Sequence, residues 1–155
     1  MVIDIESVRQ MAAAHQHTPG GLLPALHEIQ DRVGYVPKEA VPAIAEVFNL
    51  SRAEVHGTIT YYHHFRSEPA GRCVVQVCRA ESCQSMGADA LMAHAEQKLG
   101  CKQHHSSADG AFTLEPVFCL GLCAQSPAIV IGESVHARVT PQKFDRLVAQ
   151  VEVSA

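Results

Sequence analysis

The side chains of this sequence that could do chemistry are its six cysteines, four of which form two close pairs. Cys78 and Cys83 lie in the run CRAESC, and Cys119 and Cys123 lie in the run CLGLC. A [2Fe–2S] cluster takes two thiolates on each of its two irons, so two short loops with two cysteines each match its needs. The spacing therefore indicates a redox centre that moves single electrons.

Two other interpretations of the four cysteines remain open on spacing alone. A zinc-bound structural adaptor would also use four cysteines, with a similar spacing inside each pair. Free thiols are the third interpretation. The first ten residues, MVIDIESVRQ, contain acids and no apolar stretch typical of a signal peptide. We therefore expect a cytoplasmic protein, in which closely spaced cysteines are more often metal ligands or catalytic thiols than disulfides.

The composition argues against several classes of function. Hydrophobic residues make up 47% of the 155 positions and charged residues 18%, which is typical of a globular protein. A net charge of −4 without a basic block argues against nucleic acid as a partner. No apolar run approaches the roughly 18 residues that cross a bilayer, so we expect no membrane insertion. No nucleotide-binding or nucleophile motif is present, so we expect a cofactor site and no catalytic residues.

The first part of the chain has the apolar spacing of helices, and we predict a helical bundle over residues 1–66. Gly34 is placed to end the second helix, and Ser51 and Glu54 have the spacing of a capping box for the fourth. The positions expected on the buried faces of the first three helices are Val8, Met11, Ala12 and His15, then Leu22, Leu26, Ile29 and Val33, then Val41, Ile44, Ala45 and Phe48.

The bundle ends in the aromatic run YYHHF, residues 61–65. We expect Tyr61 and Phe65 to pack in the core of the bundle, and a docking surface is the alternative interpretation of this run. Because four cysteines already satisfy a cluster, histidine ligands are not needed. We therefore expect His63 and His64 to lie at the surface or at an interface.

After Pro69 the pattern changes, and we predict a second domain over residues 72–155 in which a sheet is covered by helices. The predicted element order is β-α-β-β-β-α. The predicted strands are 73–78, 112–118, 128–132 and 134–139, and the predicted helices are 86–99 and one that begins after Thr140. The first two strands lead directly into the cysteine pairs. We therefore expect both pairs to lie at the same edge of the sheet.

Two cysteines lie outside the pairs. Cys73 begins the first predicted strand, where we expect it to pack as a small hydrophobic residue. Cys101 is close to His104 and His105 in sequence, which raises the possibility of a second metal site. An exposed Cys/His loop is usually only a polar loop, so we expect that here.

Four longer sequence runs carry a resemblance to a known family. The runs are LLPALHEIQDRVGYVP, SRAEVHGTITYYHHFRSEPAGR, CRAESCQSMGADAL and TLEPVFCLGLCAQSPA. Together they resemble the thioredoxin-like [2Fe–2S] ferredoxin family, to which the 24 kDa-type subunit of respiratory NADH dehydrogenase belongs. The resemblance implies an α+β protein, a helical bundle followed by a thioredoxin-like domain. It also implies a [2Fe–2S] cluster with Cys78, Cys83, Cys119 and Cys123 as ligands.

Shorter runs carry a more specific resemblance. HEIQD (27–31), SRAEVHG (51–57), YHHF (62–65) and LEPVFCLG (114–121) are similar to the small subunit of soluble NAD-dependent formate dehydrogenases that contain molybdenum. This resemblance implies a flavin- and NAD-binding partner subunit and a separate molybdenum-containing catalytic subunit. Equivalent subunits of NADH-quinone oxidoreductase and of NAD-reducing hydrogenase have the same scaffold and are the alternatives.

Overall fold

The computed structural model describes the backbone of residues 4–154 and the side chains of residues 4–151. The chain forms two compact units, Met1–Pro69 and Ala70–Ala155. Each unit has its own apolar core. The first unit contains helices, and the second combines helices with a five-stranded sheet. The predicted α+β architecture is confirmed.

The first unit contains the four predicted helices. Their bounds are Ile5–Ala14 (α1), Leu22–Val33 (α2), Val41–Phe48 (α3) and Arg52–Tyr61 (α4). Helix α2 ends at Gly34, whose φ of 92° lies in the left-handed region that glycine adopts without strain. The predicted capping box is formed, because the Ser51 side chain accepts from Glu54 N and the Glu54 side chain accepts from Ser51 N. A 3-10 turn, Lys38–Ala40, precedes α3 and was not predicted.

The apolar faces of these helices form the core of the first unit, with one correction. Val8, Met11 and Ala12 are buried on α1, as predicted. His15 lies beyond the end of the helix as its C-cap instead of on the buried face. Its Nε2 atom lies 2.6 Å from Glu28 Oε2 on α2.

Gln30 is a polar side chain inside this core, with 5% of its surface exposed. Its Nε2 atom donates to the carbonyl oxygen of His64 over 2.8 Å, and its Oε1 atom accepts from Arg66 N over 2.7 Å. Both hydrogen bonds are partly buried, and backbone groups shielded from water need such partners. Gln30 therefore links the segment after α4 to helix α2 through two hydrogen bonds.

We expect Gln30→Leu to lower the free energy of unfolding of the full chain by about 2–4 kcal/mol. Leucine fills the space but leaves the Arg66 N–H and the His64 carbonyl without their partner, and each such loss costs about 1–3 kcal/mol. Urea denaturation measures the change. Gln10→Leu on the exposed face of α1 is the matched control, expected to change stability by no more than about 0.5 kcal/mol. Equal stability of the two variants would contradict the role of Gln30.

The prediction that Tyr61 packs in the core is wrong. Tyr61 is 75% exposed, whereas Phe65 is buried as predicted. Val55 and Ile59 form the buried side of α4, and Tyr61 lies about 200° around the helix from Ile59, so it faces away from the core. Tyr61 and Tyr62 form an edge-to-face pair at the surface with ring centroids 5.1 Å apart. His63 and His64 are exposed, as predicted.

The second unit is built on a mixed sheet with strand order β2-β3-β1-β4-β5. Strand β1 is parallel to β3 and antiparallel to β4. The strands are Cys73–Cys78 (β1), His105–Ser106 (β2), Phe112–Val117 (β3), Ile129–Ile131 (β4) and Ser134–His136 (β5). The helices are Glu81–Ser85 (α5), Ala88–Leu99 (α6) and Pro141–Ser154 (α7). Among the described residues, no helix is long and apolar enough to cross a membrane.

Three elements of this unit differ from the prediction. The predicted helix 86–99 begins later, after Gly87, whose φ of 93° separates it from the unpredicted helix α5. Strand β2 was also not predicted. The last helix begins as predicted: Pro141 is its first residue, and Thr140 Oγ1 accepts from Lys143 N over 3.2 Å.

Candidate metal centre

The two cysteine loops begin at the same edge of the sheet, as predicted. Strands β1 and β3 run parallel, and their final residues, Cys78 and Val117, are register partners. Cys119 follows two residues after the end of β3. Backbone hydrogen bonds hold the start of the first loop, because Arg79 N donates to Val117 O over 2.7 Å and Cys78 N donates to Ala128 O over 3.0 Å.

The first pair of cysteines is buried. Cys78 is 1% exposed and Cys83 is 3% exposed. The chain leaves β1 and turns directly into α5, and this short helix brings Cys83 back towards Cys78. The two thiols form a small apolar cluster with Ala88 and Ala128. Water therefore has little access to this pair.

The second pair of cysteines is exposed. The Sγ atoms of Cys119 and Cys123 lie 4.0 Å apart, and Gly121 N lies 3.4 Å from Cys119 Sγ. Cys119 has a φ of 115°, in a region that residues other than glycine rarely adopt. Gly121 has a φ of 75°, and Cys123 begins a 3-10 turn, Cys123–Gln125. The loop therefore holds both thiols towards the surface in a strained backbone conformation.

The second loop also contacts the first pair. Burial raises the pKa of the Cys78 thiol, but hydrogen bonds outweigh burial and lower that pKa below its ordinary value. The backbone donors to Cys78 belong to Ala80 and to two residues of the second loop, Leu120 and Cys119. The Cys83 thiol donates to Cys78 as well. The backbone of the second loop thus stabilises the thiolate of the first.

The thiols of Cys83 and Cys123 have raised pKa values. Burial raises the pKa of Cys83, and its hydrogen bond to Cys78 adds to the effect. The pKa of Cys123 is raised first by its hydrogen bond with Cys119. The sulfurs of Cys119 and Cys123 lie close enough to bind one metal ion together.

The four thiols lie as two pairs, one on each cysteine loop. In the part of the chain that the structure describes, no group of three or more His, Cys, Asp or Glu side chains is placed to hold a single metal ion. The two pairs match a binuclear cluster, in which each iron takes two thiolates.

The two remaining cysteines pack in the apolar core of the second unit. Cys73 is half-buried against that core, as predicted, and burial raises the pKa of its thiol. Cys101 is 8% exposed, so it is a core residue and not part of an exposed loop. His104 and His105 are exposed; their Nδ1 atoms donate to Glu115 and to the carbonyl oxygen of Gln103.

Polar residues of the site that sequence reasoning missed lie beside the cysteines. Ser82 Oγ donates to the carbonyl oxygen of Cys123 over 2.9 Å and lies 3.1 Å from Ser126 Oγ. Arg79 forms a 2.7 Å ion pair with Asp89 next to the first loop. An open groove of about 650 Å³ lies beside Cys123. Single serines in a loop have no distinctive spacing, and only the position of Ser82 directly before Cys83 could have drawn attention to it.

A sheet whose parallel strands deliver two cysteine pairs to one edge, without the CxxC motif of dithiol exchange, is the framework of an iron–sulfur protein with a thioredoxin-like fold. The chain belongs to the thioredoxin-like [2Fe–2S] ferredoxin family, whose model matches residues 8–152. The family binds a [2Fe–2S] cluster. Both the family and the cofactor inferred from the sequence are therefore confirmed.

Curated relatives and solved structures agree with this family. The chain is 32% identical to a subunit of the NADH-quinone oxidoreductase of Rhizobium meliloti (strain 1021), over 92% of this chain and 84% of the relative. It is 30% identical to the HndA subunit of the NADP-reducing hydrogenase of Solidesulfovibrio fructosivorans, over 84% of this chain and 77% of the relative. A crystal structure of an air-oxidized NAD⁺-reducing [NiFe]-hydrogenase matches 94% of this chain with a TM-score of 0.71 and 25% identity. This chain covers 24% of that hydrogenase chain.

Proposed function

We propose that the protein is the one-electron carrier subunit of a cytoplasmic, NAD-linked oxidoreductase complex. In this proposal Cys78, Cys83, Cys119 and Cys123 bind the [2Fe–2S] cluster. The observation that carries the proposal is the meeting of two cysteine loops at one sheet edge, where Cys78 and Val117 are register partners and Arg79 N donates to Val117 O. The relatives support the rest, since both are subunits of oxidoreductases that use nicotinamide cofactors.

The residues present fit a binuclear cluster. Two sulfurs on one tetrahedral metal ion at about 2.3 Å lie roughly 3.8 Å apart. The 4.0 Å separation of Cys119 and Cys123 is close to that value. When bound, the cluster accepts and releases one electron at a time. The buried first pair excludes water from one side, and the exposed second pair places the other side within reach of a partner protein.

We propose a flavin- and NAD-binding subunit as the direct partner. Within the class of complexes, the sequence similarity in residues 27–31, 51–57, 62–65 and 114–121 favours a formate dehydrogenase with a molybdenum-containing catalytic subunit. The equivalent subunit of NADH-quinone oxidoreductase or of NAD-reducing hydrogenase agrees with the relatives equally well. The three complexes share the electron carrier and differ in the source or acceptor of electrons.

Purification of the tagged protein from its native cells tests the proposal. The co-purifying subunits are identified by mass spectrometry, and the complex is assayed with formate, hydrogen and quinone as the second substrate beside NAD⁺ or NADH. Formate-dependent NADH formation supports the formate dehydrogenase, and activity with hydrogen or quinone assigns one of the alternatives. Iron and acid-labile sulfide in equal amounts support the cluster. One zinc per chain without sulfide would overturn it in favour of a structural adaptor.

We expect the isolated chain to have no turnover with formate and NAD⁺. The chain supplies no nucleotide-binding or catalytic motif, and a one-electron cofactor alone does not carry out hydride transfer. The same preparation is expected to retain its cluster, because all four ligands belong to this chain. Anaerobic assays of NADH formation, with the visible spectrum of the cluster as the loading control, make the measurement. Formate-dependent NADH formation by the pure, cluster-loaded chain would contradict the proposal.

A further inference from the structure

Two serine hydroxyls connect the two cysteine loops. Ser82 precedes Cys83 on α5, and Ser126 follows the 3-10 turn that Cys123 begins. Ser82 Oγ donates to the carbonyl oxygen of Cys123 over 2.9 Å, and Ser126 Oγ donates to the same oxygen over 3.0 Å. The two hydroxyl oxygens lie 3.1 Å apart. We call these two residues with the Cys123 carbonyl the serine bridge.

The serine bridge has more contacts than protons. The three oxygen atoms make three contacts, but the two hydroxyl groups have only two protons to donate. Two of the contacts are therefore hydrogen bonds at any moment, and rotation of a hydroxyl group changes which two. Loss of either hydroxyl therefore leaves the Cys123 carbonyl one donor, not two. Both serines are half-buried, whereas their two hydrogen bonds to the Cys123 carbonyl are exposed, so water competes with those bonds.

The serine bridge lies where it can fix the position of the second cysteine loop. Cys123 is exposed, and its loop contains two residues with positive φ, Cys119 and Gly121. Leu120 and Leu122 of this loop pack against the apolar cluster around Cys78 and Cys83, but Cys123 itself is exposed. Hydrogen bonds therefore have to define the place of the Cys123 backbone. Ser82 is one residue from Cys83, so a bond from Ser82 to Cys123 ties the second cysteine pair to the helix that carries the first.

We propose that Ser82 and Ser126 are positioning residues of the cluster site. They hold the carbonyl of Cys123 against α5, and thereby keep the second pair of thiolates at a fixed distance from Cys78 and Cys83. This inference rests on the ligand assignment in the proposed function. It adds two residues that bind no metal and act through the backbone of a ligand.

The test measures how fast the full-length, cluster-loaded chain loses iron to a strong ferrous chelator under anaerobic reducing conditions. Ser82→Ala and Ser126→Ala are each expected to accelerate the loss roughly threefold to tenfold, the effect of one net hydrogen bond. Ser82→Thr keeps the hydroxyl and is expected to restore most of the wild-type rate. Ser85→Ala is the matched control, because Ser85 Oγ bonds only within α5, to the carbonyl oxygen of Ser82.

A second measurement separates this inference from the proposed function. Hydrogen exchange in the cluster-free chain is expected to be faster across residues 119–126 in Ser82→Ala than in Ser85→Ala, with equal exchange in α6 and α7. The proposed role of the serine bridge would be wrong if both Ser82→Ala and Ser126→Ala released iron and exchanged hydrogen at wild-type rates. It would also be wrong if Ser85→Ala accelerated both processes equally. Failure of the ligand assignment has a different signature, in which alanine at the paired cysteines leaves the cluster in place.

Discussion

Alanine in place of Cys83 is expected to leave the chain with almost no cluster. Cys83 is 3% exposed and packs with Cys78, Ala88 and Ala128. After its removal the iron loses a thiolate, and no water or other ligand reaches the vacancy through this apolar cluster. Cys78→Ala is expected to have the same effect, and it also removes the acceptor for the backbone donors of the second loop.

Alanine in place of either exposed cysteine is expected to remove the cluster less completely. Cys119→Ala and Cys123→Ala open a coordination position at the surface, where water or an added thiol can enter. We expect reduced occupancy, an altered electron paramagnetic resonance spectrum in the reduced state, and partial recovery with an added monothiol. Cys73→Ala and Cys101→Ala are the controls, since both thiols pack in the apolar core away from the pairs. Loss of the reduced-state signal in Cys101→Ala would contradict the ligand assignment.

Removal of the helical unit is expected to abolish association with the proposed flavin-bearing partner while the cluster remains. All four paired cysteines lie in the unit Ala70–Ala155, which has its own core, so a chain beginning at residue 70 keeps every proposed ligand. The unit Met1–Pro69 contains none of them and exposes Tyr61 and Tyr62. Tyrosine is enriched at protein interfaces, so we propose that this aromatic pair belongs to the docking surface. Co-purification and iron content measure the two effects.

A point variant of the full chain provides the control for that truncation. Tyr61→Ala is expected to weaken partner binding by roughly thirtyfold, the effect of losing a tyrosine anchor of an interface. Folding is expected to be unchanged, because the side chain is 75% exposed. Val135→Ala removes a 55% exposed apolar side chain from the other unit and is expected to have little effect. Stoichiometric co-purification of the truncated chain would show that the sheet-bearing unit makes the contact instead.

Patterns that extend over several turns or a whole strand could be predicted from the sequence. The spacing of Leu26 and Ile29 predicts α2, and the glycine after Val33 marks where that helix ends. The β-branched run in β1 predicts a buried strand. Each of these features depends on neighbours in sequence, so local physical chemistry decides them. The spacing of the paired cysteines is likewise a local sequence pattern, and it predicts the cluster site.

Features that depend on tertiary contacts could not be predicted in this way. Helix α5 has five residues, too few for a helical period, and strand β2 has two residues that form a strand only because β3 lies beside them. The hydrogen bonds from Leu120 to Cys78 and from Ser82 to Cys123 join residues that are distant in sequence. No spacing rule identifies such pairs before the sheet is known.

The parallel pairing of β1 with β3 sets the order in which the site can be assembled. Cys78 and Cys83 meet through one turn and one short helix, so they come together early. The second loop joins them only after β3 has aligned with β1 across the intervening helices, and long-range pairing of this kind is slow. Iron delivered to a nascent chain would therefore meet two thiolates instead of four. We therefore expect cluster insertion to follow sheet formation, because only then do the four proposed ligands lie together.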